Sequence, residues 1–192
     1  MPRYPKVAVV LVATKDLNGR IVRWASNSAV NHAMLVYEDT LWTGFWSAEA
    51  LLKKGVAKLP FDPDDPRYSK LEFYVYHGDA SIGLPGLRHV IGADYDYKGA
   101  LVGTLRLIFR KLFGTVSDAS IHDHKKFFCF ELVIRYLQNL RTVGADKLVP
   151  ENTSPAILRE WLINHEDFQR VSIERFMEDT SEIPFAELIM GR

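Results

Sequence analysis

Apolar residues in this chain fall into two kinds of run, unbroken β-branched stretches and helically spaced ones, and their order predicts strands first and the main helices later. Val7, Val9, Val10, Leu11 and Val12 stand in one uninterrupted apolar run, the pattern of a strand covered on both faces. Asp16-Leu17-Asn18-Gly19 reads as a turn with glycine supplying a positive φ. Residues 21–28 admit either a short helix or an irregular connector. Two strands are then expected over 32–37 and 41–48, joined at Glu38-Asp39-Thr40 as an antiparallel hairpin. A turn at 53–56 leads to a third strand near 57–60, a proline- and aspartate-rich loop fills 61–68, and 71–76 alternates as a further strand.

Helical spacing dominates the second half. Residues 78–86 read as a loop, 87–91 as ambiguous and 92–97 as a turn before a helix over 98–113. That helix carries Leu101, Leu105, Ile108, Phe109 and Leu112 on one side and stops at Gly114. A polar link over 115–126 precedes a second helix at about 129–140, where Phe130, Val133, Ile134, Leu137 and Leu140 recur at i, i+3, i+4, i+7 and i+10. Gly144 marks its stop, and a loop occupies 146–152. Ser154 as N-cap and Pro155 as first helical residue open a third helix, with Ile157, Leu158, Trp161 and Leu162 as its apolar face. Residues 168–172 suggest a last strand, and about 173–192 a tail or surface helix. The expected class is α+β, an antiparallel sheet or partial barrel packed against helices, in a single domain over 1–192 with no repeat to divide it.

Composition narrows the function classes. Lysine plus arginine equal aspartate plus glutamate at 24 each, so no global field draws the protein to nucleic acid or anionic lipid. The single cysteine excludes an internal disulfide. The first apolar run is about half a membrane span and lacks a signal-peptide cleavage site, so neither a transmembrane segment nor secretion is expected. A cytoplasmic location follows, or a protein carried by phage or released by lysis. Composition and motifs leave the oligomeric state undetermined.

That one cysteine, Cys129, falls where the polar link becomes the apolar helix, hence in a helix's first turn. There, free N–H groups and the positive end of the dipole favour a thiolate. The plain alternative is a small buried hydrophobe. A nucleophile needs a base, and His32 opens the first strand of the hairpin. A turn centred between Asp39 and Thr40 sets His32 opposite Ser47, and a centre one residue earlier sets it opposite Phe45. In both registers Phe45, Ser47 and Glu49 share the face of His32, so a hydroxyl or a carboxylate can reach it. Glu131, two residues past Cys129, points away from the thiol and is read as a structural ion-pair partner. His122 and His124 raise zinc as an alternative, without an evident fourth ligand, and no cofactor is expected. Trp42, Phe45, Trp46 and Phe130 serve either as an apolar cleft wall or as core. Tyr95 is a candidate cleft residue on the same terms.

The order of these pieces resembles the circularly permuted papain-like enzymes of the NlpC/P60 superfamily, specifically the YaeF/YiiX-like amidase group, to which lecithin retinol acyltransferase-like proteins are more distantly similar. The resemblance is carried by Asn31-His32-Ala33-Met34-Leu35-Val36, by Glu49-Ala50 followed by Gly55-Val56, and by Gly92-Ala93-Asp94-Tyr95-Asp96. It continues in Phe127-Phe128-Cys129-Phe130-Glu131-Leu132-Val133 and in Thr153-Ser154-Pro155-Ala156-Ile157-Leu158. Together these run from about residue 7 to 172. Phe130 stands where the family has serine, which alters the pocket but removes no catalytic group. The resemblance implies a permuted papain-like fold and a thiol hydrolase with Cys129 as nucleophile, His32 as base and Glu49 as third member, Ser47 remaining the alternative. The implied substrates are peptides, peptidoglycan fragments or lipid acyl groups. The open alternatives are acyl transfer and a binding module that keeps the fold without turnover.

Overall fold

A computed structural model describes residues 6–38, 44–114, 126–150 and 153–178. The strands β1 (Val7–Thr14), β2 (His32–Glu38), β3 (Phe45–Leu51), β4 (Gly55–Pro60), β5 (Tyr68–Tyr76) and β8 (Phe168–Val171) form one sheet in the order β4-β3-β2-β1-β5-β8. Every pairing in it is antiparallel. The sheet is open, with β4 and β8 as its two edges, so the barrel alternative is not realised. A second pair, β6 (Asp94–Tyr95) with β7 (Lys126–Phe127), is short and parallel.

The unbroken apolar run of β1 has the predicted cause: β1 lies inside the sheet between β2 and β5, and both its faces are covered. Val9 and Leu11 join Ala33, Leu35, Ala48 and Tyr74 in the larger core, under helix α4 (Cys129–Asn139). Val10 and Val12 join Met34, Val36, Phe73 and Phe176 in a smaller core on the other face. The valine, leucine, methionine and phenylalanine side chains among these each contribute roughly 1.5–3 kcal/mol by leaving water. Phe176 belongs to α6 (Ile173–Met177), which packs against Phe45 and Phe73 at ring-centroid distances of 5.0 and 5.2 Å. The beginning of the expected surface tail therefore closes the second core, and the rest of it lies outside the described residues.

Several local expectations are revised. Residues 16–19 open helix α1 (Leu17–Ser26), with Asp16 as its N-cap accepting from the Gly19 N–H, so the undecided 21–28 is helix as far as Ser26, with Asn27 as a left-handed C-cap. Gly19 has no positive φ. Glycine is required because a Cβ there would run into Thr14 Oγ1 and lie 2.8 Å from Asn31 Nδ2. The loop over 78–86 and the ambiguous 87–91 hold a 3₁₀ turn (Ala80–Gly83) and helix α2 (Leu84–Val90), with Pro85 in its first turn. Helix α4 ends at Asn139, and Arg141 takes a left-handed φ of 55°, so the chain turns before Gly144. Helix α5 (Pro155–Asn164) starts as predicted, with Ser154 Oγ accepting from the Ile157 N–H.

Helix α3 (Tyr97–Phe113) starts one residue before its predicted bound and stops where predicted, capped by Asp96 and terminated by Gly114 at φ 82°. Its apolar side, however, faces outward and no residue in the helix is fully buried.

A buried carboxylate ties α5 to the sheet. Glu72 on β5 accepts from Arg159 Nε at 2.8 Å and from Tyr74 Oη at 2.9 Å, and pairs with Lys70 Nζ at 2.7 Å. Burial opposes its charge, but the hydrogen bonds from Arg159, Lys70 and Tyr74 outweigh burial and hold the carboxyl at about 2. This stabilisation is complete above the ordinary value of 4.5 and is lost as pH falls toward about 2. Glu72→Ala removes the buried acceptor that Arg159, Lys70 and Tyr74 share and should cost about 1–3 kcal/mol in urea unfolding at neutral pH, with the gap from wild type narrowing in acid.

Candidate active site

The hairpin register is a third one. Leu35 pairs with Ala48, Val36 with Ser47, Tyr37 with Trp46 and Glu38 with Phe45. Extended by period two, this sets His32 beyond Glu49 rather than opposite Ser47 or Phe45. The shift has a plain cause: β3 begins at Phe45, not at the expected 41, and residues 39–43 between the strands lie outside the described residues. Face sharing survives any shift that preserves parity, so His32, Ser47 and Glu49 remain on one side.

Glu49 is the diagonal neighbour, and its Oε2 lies 3.3 Å from His32 Nε2. Ser47 contacts Glu49 instead of the ring, donating from Oγ to Oε1 at 2.8 Å. The two candidates for one role thus occupy successive positions in a chain, with serine orienting the carboxylate that orients the imidazole. Tyr68, which the sequence reading left at the end of a loop, adds a longer bond from its hydroxyl to Glu49 Oε1 at 3.4 Å. Its place follows from the β1–β5 register shift at Ala13/Thr14, which local patterning does not reveal.

Cys129 is the first residue of α4, and His32 the first of β2. The thiol is buried and lies within hydrogen-bonding reach of the His32 ring. The N–H groups of the first turn of α4 have no acceptor within the helix, and the N-cap residue Phe128 offers no capping side chain. The sulfur thus sits on the donor-bearing first turn of α4.

Charge is distributed accordingly. Burial alone would lower the His32 pKa, but the negative charge and hydrogen bond of Cys129, then those of Glu49, raise it to about 10. Burial would likewise raise Glu49; the hydrogen bond and charge of His32, the Ser47 donor and the charge of Arg67 reverse that and lower it. Tyr95 is held above the ordinary phenol value by burial first and the charge on Cys129 second, and its backbone pairs with Phe127, two residues before the cysteine.

The placement of Tyr95 depends on backbone contact between β4 and the segment before β6. Val56 N–H donates to Ala93 O at 2.8 Å, and Gly92 N–H to Val56 O at 2.8 Å. Gly55, at φ 67°, leaves room for the Ala93 carbonyl, which any Cβ would strike. Asn31 fixes the start of β2: its Oδ1 accepts from Thr14 N at 2.9 Å and from Arg23 Nη1 at 2.6 Å. The residues flanking the candidate triad in the sequence motifs are thus its backbone anchors.

The apolar candidates separate. Phe130 is buried in the larger core, and Trp46 lies on the sheet face opposite His32 with Lys58 Nζ 4.6 Å from its ring centre. Trp42 lies outside the described residues, as do His122 and His124. Among the described residues no group of three or more His, Cys, Asp or Glu side chains is arranged to hold a metal ion. Glu131 pairs with Arg135 at 2.9 Å, one turn along α4. A groove of about 940 Å³ beside β5 and β8, bordered by Lys70, Arg170 and Met177, meets this constellation only through Tyr68.

No protein-family model matches the chain, and no curated protein matches its sequence.

Proposed function

We propose that the chain is a cysteine hydrolase of the permuted papain-like type, acting on an amide or ester through a thioacyl-enzyme on Cys129. The observation that carries this reading is one imidazole that meets a buried carboxylate through Nε2 at 3.3 Å and is acted on by the charge and hydrogen bond of the chain's single cysteine, at the start of a core helix. The chain order, histidine-bearing strand before cysteine-bearing helix, supports the permuted fold.

In this mechanism the Cys129 sulfur attacks the substrate carbonyl carbon, and the oxyanion formed is met by the Cys129 N–H. His32 delivers its proton to the departing amine or alkoxide as the C–N or C–O bond breaks, leaving a thioester. Water then attacks the thioester, giving its proton to His32, and the carboxylic acid departs as the sulfur is restored. Glu49, held by Ser47, fixes the ring and favours the imidazolium. Peptides, peptidoglycan fragments and lipid acyl groups all present the required carbonyl.

Acid-quenched mass spectrometry after mixing with activated acyl esters tests the reading. The expected result is one acyl adduct on Cys129 and continuing release of acid. Turnover should fall as pH rises through about 10, where His32 loses the proton it must donate. Absence of both adduct and turnover across ester and amide substrates would make the domain a binding module and overturn the proposal.

A further inference from the structure

We propose that α3, together with the exposed indole of Trp24 on α1, docks onto the headgroup region of an anionic phospholipid bilayer. The helix presents apolar side chains to solvent instead of burying them. Leu101 is 62 % exposed, Leu105 43 %, Phe109 51 %, Leu112 58 % and Phe113 70 %. At 100° per residue, Leu101, Leu105, Phe109 and Leu112 fall within an arc of about 80°. This is one continuous stripe, not scattered surface residues.

Charge identifies what the stripe meets. Helix α3 carries Lys98, Arg106, Arg110 and Lys111 and no acidic residue; α1, packed beside it, adds Arg20 and Arg23 and no acid. In a chain balanced at 24 charges of each sign, this is a local segregation of base. Trp24 is 52 % exposed, with Lys111 Nζ 5.8 Å from its ring centre, an aromatic and cation pairing suited to the membrane interface. An outward apolar stripe flanked by lysine and arginine is the composition of a helix lying in the headgroup plane.

Spanning is excluded for this element, because among the described residues no helix is long and apolar enough to cross a membrane. A second copy of the chain is disfavoured by charge, since a symmetric contact would set two all-basic helices against each other. The inference does not depend on the catalytic reading. The two are linked by position, because α3 starts two residues after Tyr95, whose strand pairs with Phe127, two residues before Cys129. A docked α3 brings the cysteine close to the lipid surface, where acyl esters reside.

Cosedimentation of the full chain with phosphatidylcholine vesicles, with and without phosphatidylserine, tests the proposal. Binding should be at least tenfold tighter on the phosphatidylserine vesicles and should weaken severalfold in high salt. The double variant Leu105→Asp/Phe109→Asp should lose at least tenfold in vesicle affinity with an unchanged melting temperature. Arg110→Glu/Lys111→Glu should do the same through charge alone, and Cys129→Ala should bind as wild type. No vesicle binding, binding indifferent to both double variants, or a dimer in solution dissolved by Leu105→Asp/Phe109→Asp would overturn it.

Discussion

Cys129→Ala is expected to remove turnover, by at least about 10³-fold in kcat, while the protein remains folded. The sulfur is the only atom at the site able to form the thioester, and nothing else on α4 substitutes for it. Cys129 is 8 % exposed at the edge of the larger core, so loss of one sulfur costs about 1 kcal/mol and a few degrees of melting temperature. Cys129→Ser keeps the volume and should be nearly as inactive, because a hydroxyl beside an imidazole already committed to the proton is a far weaker nucleophile. A variant with wild-type turnover in either form would remove the cysteine from the chemistry.

His32→Gln should cost a similar factor, about 10³ in kcat, by a different route. The amide can still bond Glu49, so the hairpin keeps its register, but it cannot carry a proton to the leaving group. Stability responds with a defined sign. His32 is raised from 6.5 to about 10 on folding, so its contribution is full below 6.5 and disappears as pH rises through about 10. Wild type should therefore be more stable than His32→Gln at neutral pH, with the difference shrinking on the alkaline side. In urea titrations at two pH values, an equal difference at both would mean that the His32 charge is not coupled to Cys129 and Glu49.

Periodicity made the cysteine helix legible because its apolar face is buried as a whole, and the β1 run was legible because both of its faces are covered. The shared face of His32, Ser47 and Glu49 was legible because the expected registers and the observed one have the same parity; a one-residue slip would have turned Glu49 to the other face. Which of two polar residues meets the ring was not, because it depends on the exact start of β3 and its register against β2. Gly19 misled as a turn signal because its role is close approach to Thr14 and Asn31, a contact between segments remote in sequence. Tyr68 escaped notice since a bulge in β1–β5 pairing, invisible locally, turns it toward Glu49. The apolar side of α3 was legible as a stripe, yet spacing alone does not distinguish a face turned inward from one turned out.

The central claim is that His32 activates Cys129, and the most direct measurement is the rate of Cys129 alkylation in native protein and in folded His32→Gln at the same neutral pH. The account predicts a native rate at least about tenfold above that of free cysteine and a comparable drop in the variant. A native rate no faster than free cysteine, unchanged by His32→Gln, would contradict it.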